Sequence, residues 1–216
     1  MKKILIAPSM LSADFGNLNK DIEMVNRCGD IFHLDIMDGV FVPNISYGTP
    51  VIKAITKNAK IPVEAHLMIV DPAKFLKDYK NFGIGSVSVH YEACTHLDRT
   101  IASIKELGMK AGVAINPATS EQLLYDVVRI ADYIVVMSVN PGFGGQKYIP
   151  YCTEKIARLK KIIEENNPDC LIEVDGGVTA GNCAEICEAG ADILVAGSAV
   201  FSEPDPEVAI RNLRNA

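Results

Sequence analysis

Eight short and nearly continuous apolar runs recur along the chain, each followed by a segment of helical length. The runs cover residues 4–7, 31–36, 63–68, 86–89, 112–115, 133–137, 171–174 and 193–196. The segments between and after them cover residues 17–28, 49–58, 72–81, 96–107, 120–129, 151–165, 181–188 and 206–213. Runs that do not alternate polar with apolar residues fit strands covered on both faces, as parallel strands with helical crossovers are. Eight such units predict an α/β chain folded as one (β/α)8 barrel of the TIM type, a single domain over residues 1–216. An open doubly wound sheet uses the same units. The number of units, and the polar residues gathered at the C-terminal ends of the runs, favour the barrel.

Local signals agree with the alternation. Thr49-Pro50 and Asp71-Pro72 read as helix caps followed by proline at the first helical position. Gly83, Gly108 and Gly190 stand where helices should stop. The Met-Lys-Lys start followed by residues 4–7 imitates a secretory leader. Pro8, Ser9 and then Asp14 interrupt the apolar stretch, so a buried first strand is the expectation. No run approaches the ~18–20 apolar residues of a membrane span.

Composition excludes other classes. Hydrophobic residues are 49% of the 216, enough for a core and incompatible with disorder. The formal net charge is −6, and no block of Lys and Arg offers the basic footprint that nucleic-acid binding needs. Cys28, Cys94, Cys152, Cys170, Cys183 and Cys187 form no Cys-x-x-Cys pair and no zinc-finger spacing. They read as reduced thiols of a cytoplasmic protein.

In either architecture chemistry belongs at the C-terminal strand ends. His33, Asp35 and Met37 share one face of the second run, and His66 and Met68 share one face of the third. Asp175 ends the seventh. Converging at one mouth, His33, Asp35, His66 and Asp175 suffice to hold one divalent first-row metal ion: zinc, iron(II), manganese or cobalt. His90 ends the fourth run and His96 begins a helix; strand parity keeps both out of this set, so both read as supporting residues. Glycine clusters follow three strands: Gly142, Phe143, Gly144 and Gly145; Gly176 and Gly177; Gly197 with Ser198. Backbone that approaches a ligand closely with its N–H groups suits a phosphate, and loops after the last two barrel strands are its usual cradle. Met37, Met68 and Met137 lie near the same mouth, where they would pack as core or exclude water.

These residues resemble the ribulose-phosphate 3-epimerase family. The likeness rests on residues 7–15, on 33–39 with 41–44, on 66–68, on Met137 through Gln146, on 174–178 and on 196–199, and it runs from about residue 4 to about residue 201. Met10 and Glu64-Ala65 depart from the usual pattern, away from the proposed ligands. The resemblance implies a metal-dependent 3-epimerisation of D-ribulose 5-phosphate to D-xylulose 5-phosphate through an enediolate, within the pentose phosphate pathway. It makes Asp35 and Asp175 the acid/base pair and His33 and His66 the remaining ligands. It implies that Ser9, His66, Asp175, Gly176 and the glycine loops contact the sugar, with Gly177, Gly197 and Ser198 at its phosphate. The expected partners are a phosphosugar and further copies of the chain, with neither nucleic acid nor membrane. A sister epimerase acting on D-allulose 6-phosphate would use the same parts. A phosphosugar-binding barrel without catalysis would be expected to lack one of the four ligand or acid/base residues, and all four are present.

Overall fold

The computed structural model describes residues 3–215. Eight parallel strands form one sheet that curves into a nearly closed barrel: β1 (Leu5–Pro8), β2 (Phe32–Met37), β3 (Val63–Met68), β4 (Ser86–His90), β5 (Lys110–Ile115), β6 (Tyr133–Met137), β7 (Leu171–Asp175) and β8 (Ile193–Ala196). The strand order is β1-β8-β7-β6-β5-β4-β3-β2, and a single bridge between Ser9 and His33 joins β1 to β2. The eight α-helices among the described residues are α1 (Leu18–Cys28), α2 (Thr49–Asn58), α3 (Leu76–Asn81), α4 (Leu97–Glu106), α5 (Tyr151–Asn166), α6 (Cys183–Glu188), α7 (Ser198–Phe201) and α8 (Pro206–Arg214). No helix among the described residues is long and apolar enough to cross a membrane.

The expected strands are all present, because buried apolar runs of this length leave the backbone few other ways to satisfy its hydrogen bonds. The helical expectations need three corrections. Thr49 is the first residue of α2 rather than its cap: Gly48 takes that place, and no side chain caps the helix. Asp71 heads a 3-10 turn (Pro72–Phe75) that leads into the short α3, also without a side-chain cap bond. Residues 120–129 form two 3-10 turns, Glu121–Leu124 and Val127–Arg129, rather than a helix. Leu124 and Val128 are buried at helical spacing, but the paired β-branched Val127-Val128 supports helix poorly. Helix α7, directly after β8, lies outside the expected helices.

Outward-facing strand residues such as Leu34, Leu67, Val89 and Val136 pack against Ile55, Ile104, Ile156 and Leu159 of the helices in one continuous core. The barrel interior differs. Alongside Val135 and Val195 it buries His33, Glu64, His66, Ser88, His90 and Glu173, each at most 1% exposed. Polar groups so placed must find partners or carry function.

At the opposite end of the barrel, Asp30 ties α8 to β1. Its carboxylate accepts from the Ile6 N–H at 3.0 Å, from Lys3 Nζ at 2.8 Å and from Arg214 at 2.7 Å. Partial burial raises the Asp30 pKa, but these donors outweigh it and hold it below the usual carboxylate range. A depressed folded-state pKa contributes stability above the unfolded value near ~3.9 and loses it as the pH falls through the folded value. Asp30→Asn is therefore expected to cost about 1–2 kcal/mol at neutral pH. Urea unfolding at several pH values checks this, with the gap closing below about pH 4.

Candidate active site

Strand register builds the site. Asp35 pairs with His66, and Met37 with Met68, across β2 and β3; Met137 pairs with Asp175 across β6 and β7. The alternation of faces then turns His33, Asp35, His66 and Asp175 into the barrel mouth together. One ligand atom from each of the four lies within 4.8 Å of the others. His33 Nε2 is 3.4 Å from Asp35 Oδ1 and 3.8 Å from Asp175 Oδ2. His66 Nδ1 is 3.5 Å and 3.4 Å from the same two oxygens.

Both inward-facing ring nitrogens, His33 Nε2 and His66 Nδ1, are buried without a hydrogen bond of good geometry. Two nitrogen donors aimed at two carboxylates, with nothing else to satisfy them, fit a small divalent cation. The electrostatics agree. Burial opposes charge on His33 and His66, yet the adjacent carboxylates push the His33 pKa well above its ordinary value and that of His66 up to about 9. Burial likewise opposes charge on Asp35, but the two histidines hold its carboxyl well below the usual range. The site demands positive charge at its centre, from protons or from a cation.

Above the cluster opens a cavity of about 420 Å³. Met37, Met68 and Met137 line its floor and are nearly fully buried. All the proposed substrate-contacting residues line it except His66, whose Nδ1 faces Asp35 and Asp175. The Ser9 hydroxyl is already engaged, donating to Asp35 Oδ2 at 2.5 Å. The loop of residues 142–145 is held by its neighbours: Asn44 donates to the Gly142 carbonyl, and Gln146 donates to those of Asn140 and Phe143. Phe143 itself is half exposed at the rim.

Gly177 has φ +66°, and a Cβ there would fall on the backbone nitrogen of Tyr148 and 2.7 Å from its Cα. Backbone cannot yield as a side-chain tip does, so only glycine lets this loop lie against residues 146–148. Gly177→Ala is expected to lower stability by about 1–3 kcal/mol. An unchanged denaturation midpoint would show that the Tyr148 segment moves freely.

His90 stays outside the cluster as a supporting residue, but against the parity argument it faces inward and meets His66, Nε2 to Nε2, at 2.9 Å. Parity fails across strands when the register is unknown, and here His66 pairs with Ser88, two residues before His90. Glu64 is not remote from the proposed ligands: its Oε1 is 3.9 Å from His33 Nδ1. Glu173, two residues before Asp175, was missed; its Oε1 is 3.1 Å from the same nitrogen. The parity that selects His66 and Asp175 also selects Glu64 and Glu173, so the signal for both was present. Ser12, Asn182 and Lys147 line the cavity with no such signal.

Comparison with known proteins points one way. The model of the ribulose-phosphate 3 epimerase family matches residues 5–201. The ribulose-phosphate 3-epimerase of Aquifex aeolicus is 45% identical over 212 residues, covering 98% of this chain and 96% of that one. That of Synechocystis sp. is 46% identical over 218 residues, covering 100% and 95%. Among solved structures, KGPDC from Streptococcus mutans superimposes with a TM-score of 0.73 at 10% identity, covering 99% of this chain and 97% of that one. A mutant alpha-subunit of tryptophan synthase from Pyrococcus furiosus does so with a TM-score of 0.71 at 15% identity, covering 99% and 98%. At such identities these two structures speak for the barrel fold alone.

Proposed function

Because the chain belongs to the ribulose-phosphate 3-epimerase family, we propose that it interconverts D-ribulose 5-phosphate and D-xylulose 5-phosphate, moving the C3 proton with Asp35 and Asp175. The observation that carries this reading is the pair of carboxylates converging on two buried, unsatisfied imidazole nitrogens at the floor of the cavity. His33, Asp35, His66 and Asp175 would hold one divalent cation, of a kind their chemistry leaves open among zinc, iron(II), manganese and cobalt. When bound, such a cation supplies a Lewis acid for the charge that develops on the substrate oxygens beside C3.

The chain's own residues do the rest. C3 lies next to the C2 ketone, so its proton is acidic enough to be taken by a carboxylate once that charge is stabilised. Epimerisation needs removal on one face of the planar enediolate and return on the other. Asp35 comes from β2 and Asp175 from β7, and each serves as base in one direction and acid in the other. Ser9, donating to Asp35 Oδ2, orients that carboxylate and offers its oxygen to the substrate. Met37, Met68 and Met137 exclude water from the carbanion without competing for hydrogen bonds. Gly177, Gly197 and Ser198 would hold the phosphate at the far side of the cavity, while Gly142, Phe143, Gly144 and Gly145 close over the sugar. The six cysteines are all unpaired, which supports the proposed cytoplasmic setting. Homo-oligomerisation belongs to the same proposal.

Proton NMR with D-ribulose 5-phosphate in D₂O, divalent metal supplied, tests the reading. The expected result is D-xylulose 5-phosphate carrying deuterium at C3. Faster turnover of D-allulose 6-phosphate would move the assignment to the hexose. Binding without exchange would leave a barrel that holds phosphosugars and does not transform them.

A further inference from the structure

Behind His66, on the side away from the cavity, runs a chain of polar contacts that the proton transfer does not use. His66 Nε2 is 2.9 Å from His90 Nε2, and His90 Nδ1 is 3.3 Å from Glu92 Oε2. The other Glu92 oxygen accepts from the Asn116 N–H at 2.8 Å and from the Thr119 hydroxyl. That loop is fixed in turn by Lys155 of α5, itself 3% exposed. Its Nζ donates to the carbonyls of Asn116, Pro117 and Thr119 at 3.2, 2.5 and 2.6 Å. Phe41 covers the His90 ring, with centroids 4.7 Å apart.

We propose that His90 and Glu92 are positioning residues that fix the tautomer of His66, so that its Nδ1 presents a lone pair to the cation site. The assignment rests on the reading of His66 as a ligand and follows from donor and acceptor counting. A carboxylate only accepts, so the His90 proton sits on Nδ1, facing Glu92. His90 Nε2 is then an acceptor, and the His66 proton must sit on Nε2, facing it. Nδ1 of His66 is left bare where it faces Asp35 and Asp175. No other neutral arrangement satisfies all three groups. With His90 protonated on Nε2, either two N–H groups would oppose each other across 2.9 Å, or the His66 proton would move to Nδ1 and block the site. The His90 ring is fully buried, where the charged imidazolium is disfavoured. Burial opposes charge on Glu92, yet its bonds to His90 and Thr119 prevail and lower its pKa to about 2, so it stays ionised. Glu92 thus acts on the centre at two imidazoles' remove.

The test uses zinc ions as a diamagnetic probe. In the zinc-loaded protein, ¹⁵N imidazole correlation spectra should show His90 protonated on Nδ1 and His66 on Nε2. Glu92→Ala should weaken zinc affinity, measured by chelator competition, by about 10- to 100-fold. Glu92→Gln keeps an acceptor oxygen and should recover part of that loss. A purely structural role would lower the melting temperature of Glu92→Ala while leaving zinc affinity and the His90 tautomer unchanged, which overturns the proposal. Should Glu92→Ala not fold, wild-type spectra still decide: His90 protonated on Nε2 refutes the relay. A wild-type chain that binds no zinc, iron(II), manganese or cobalt instead overturns the ligand reading on which the relay rests.

Discussion

Asp175→Asn is expected to leave the barrel folded and to lower the rate of epimerisation by about 10³- to 10⁴-fold. The side chain is 14% exposed at the mouth and the amide preserves its volume, so folding loses little. On the proposed mechanism, the chemistry loses a base. On that mechanism the variant should not be silent, however, because Asp35 would still face the substrate. One of the two epimers should then exchange its C3 proton with D₂O without being converted, since removal and return take place on the same face. Asp35→Asn should give the complementary pattern, exchanging the other epimer. It should also fold less stably, because Asp35 is 5% exposed and accepts the Ser9 hydroxyl. Loss of both exchanges in both variants would show that the carboxylates act as one unit, and would remove the division of labour by face.

His66→Ala should abolish tight binding of the divalent ion. Losing a group behind a ligand costs about 10- to 100-fold, and losing the ligand itself should cost more than about 100-fold. Elemental analysis of the purified variant checks this directly, and unchanged metal content would strike His66 from the ligand set. His96→Ala is the natural control, since His96 precedes α4 and belongs to neither the cluster nor the relay.

What could be read from the residues alone follows from what strand parity can and cannot do. Within one strand, His33 and Asp35 must share a face whatever the rest of the chain does. Of the four proposed ligands, Asp35, His66 and Asp175 were legible because each lies in the C-terminal half or at the end of an apolar run, where a barrel puts its chemistry, and His33 because it shares a face with Asp35. Between strands parity needs a register, and register is a property of the closed sheet. That is why parity alone puts His90, on the strand after His66, on the wrong side. Glu64 and Glu173 passed unread for a different reason. Acidic residues in the interior of apolar runs look like exceptions to a pattern until the barrel lumen is seen to be polar at that depth. The segment 120–129 had helical spacing but only two buried anchors, Leu124 and Val128 among its apolar residues, and short 3-10 turns satisfied them at less cost in backbone order.

The seam between β1 and β2 gives the barrel a weakest point, and the site straddles it. Other neighbouring strands share three to six paired positions, whereas β1 and β2 share one bridge, Ser9 to His33. That bridge joins Ser9, which donates to Asp35, to His33 of the proposed cation cluster. Transient local opening should therefore begin there, exposing amides near Ser9 and His33 to solvent exchange before those of the better-paired strands. A cation or sugar bound across the seam would suppress that opening by mass action, so occupancy of the site and slow amide exchange along β1 should rise together.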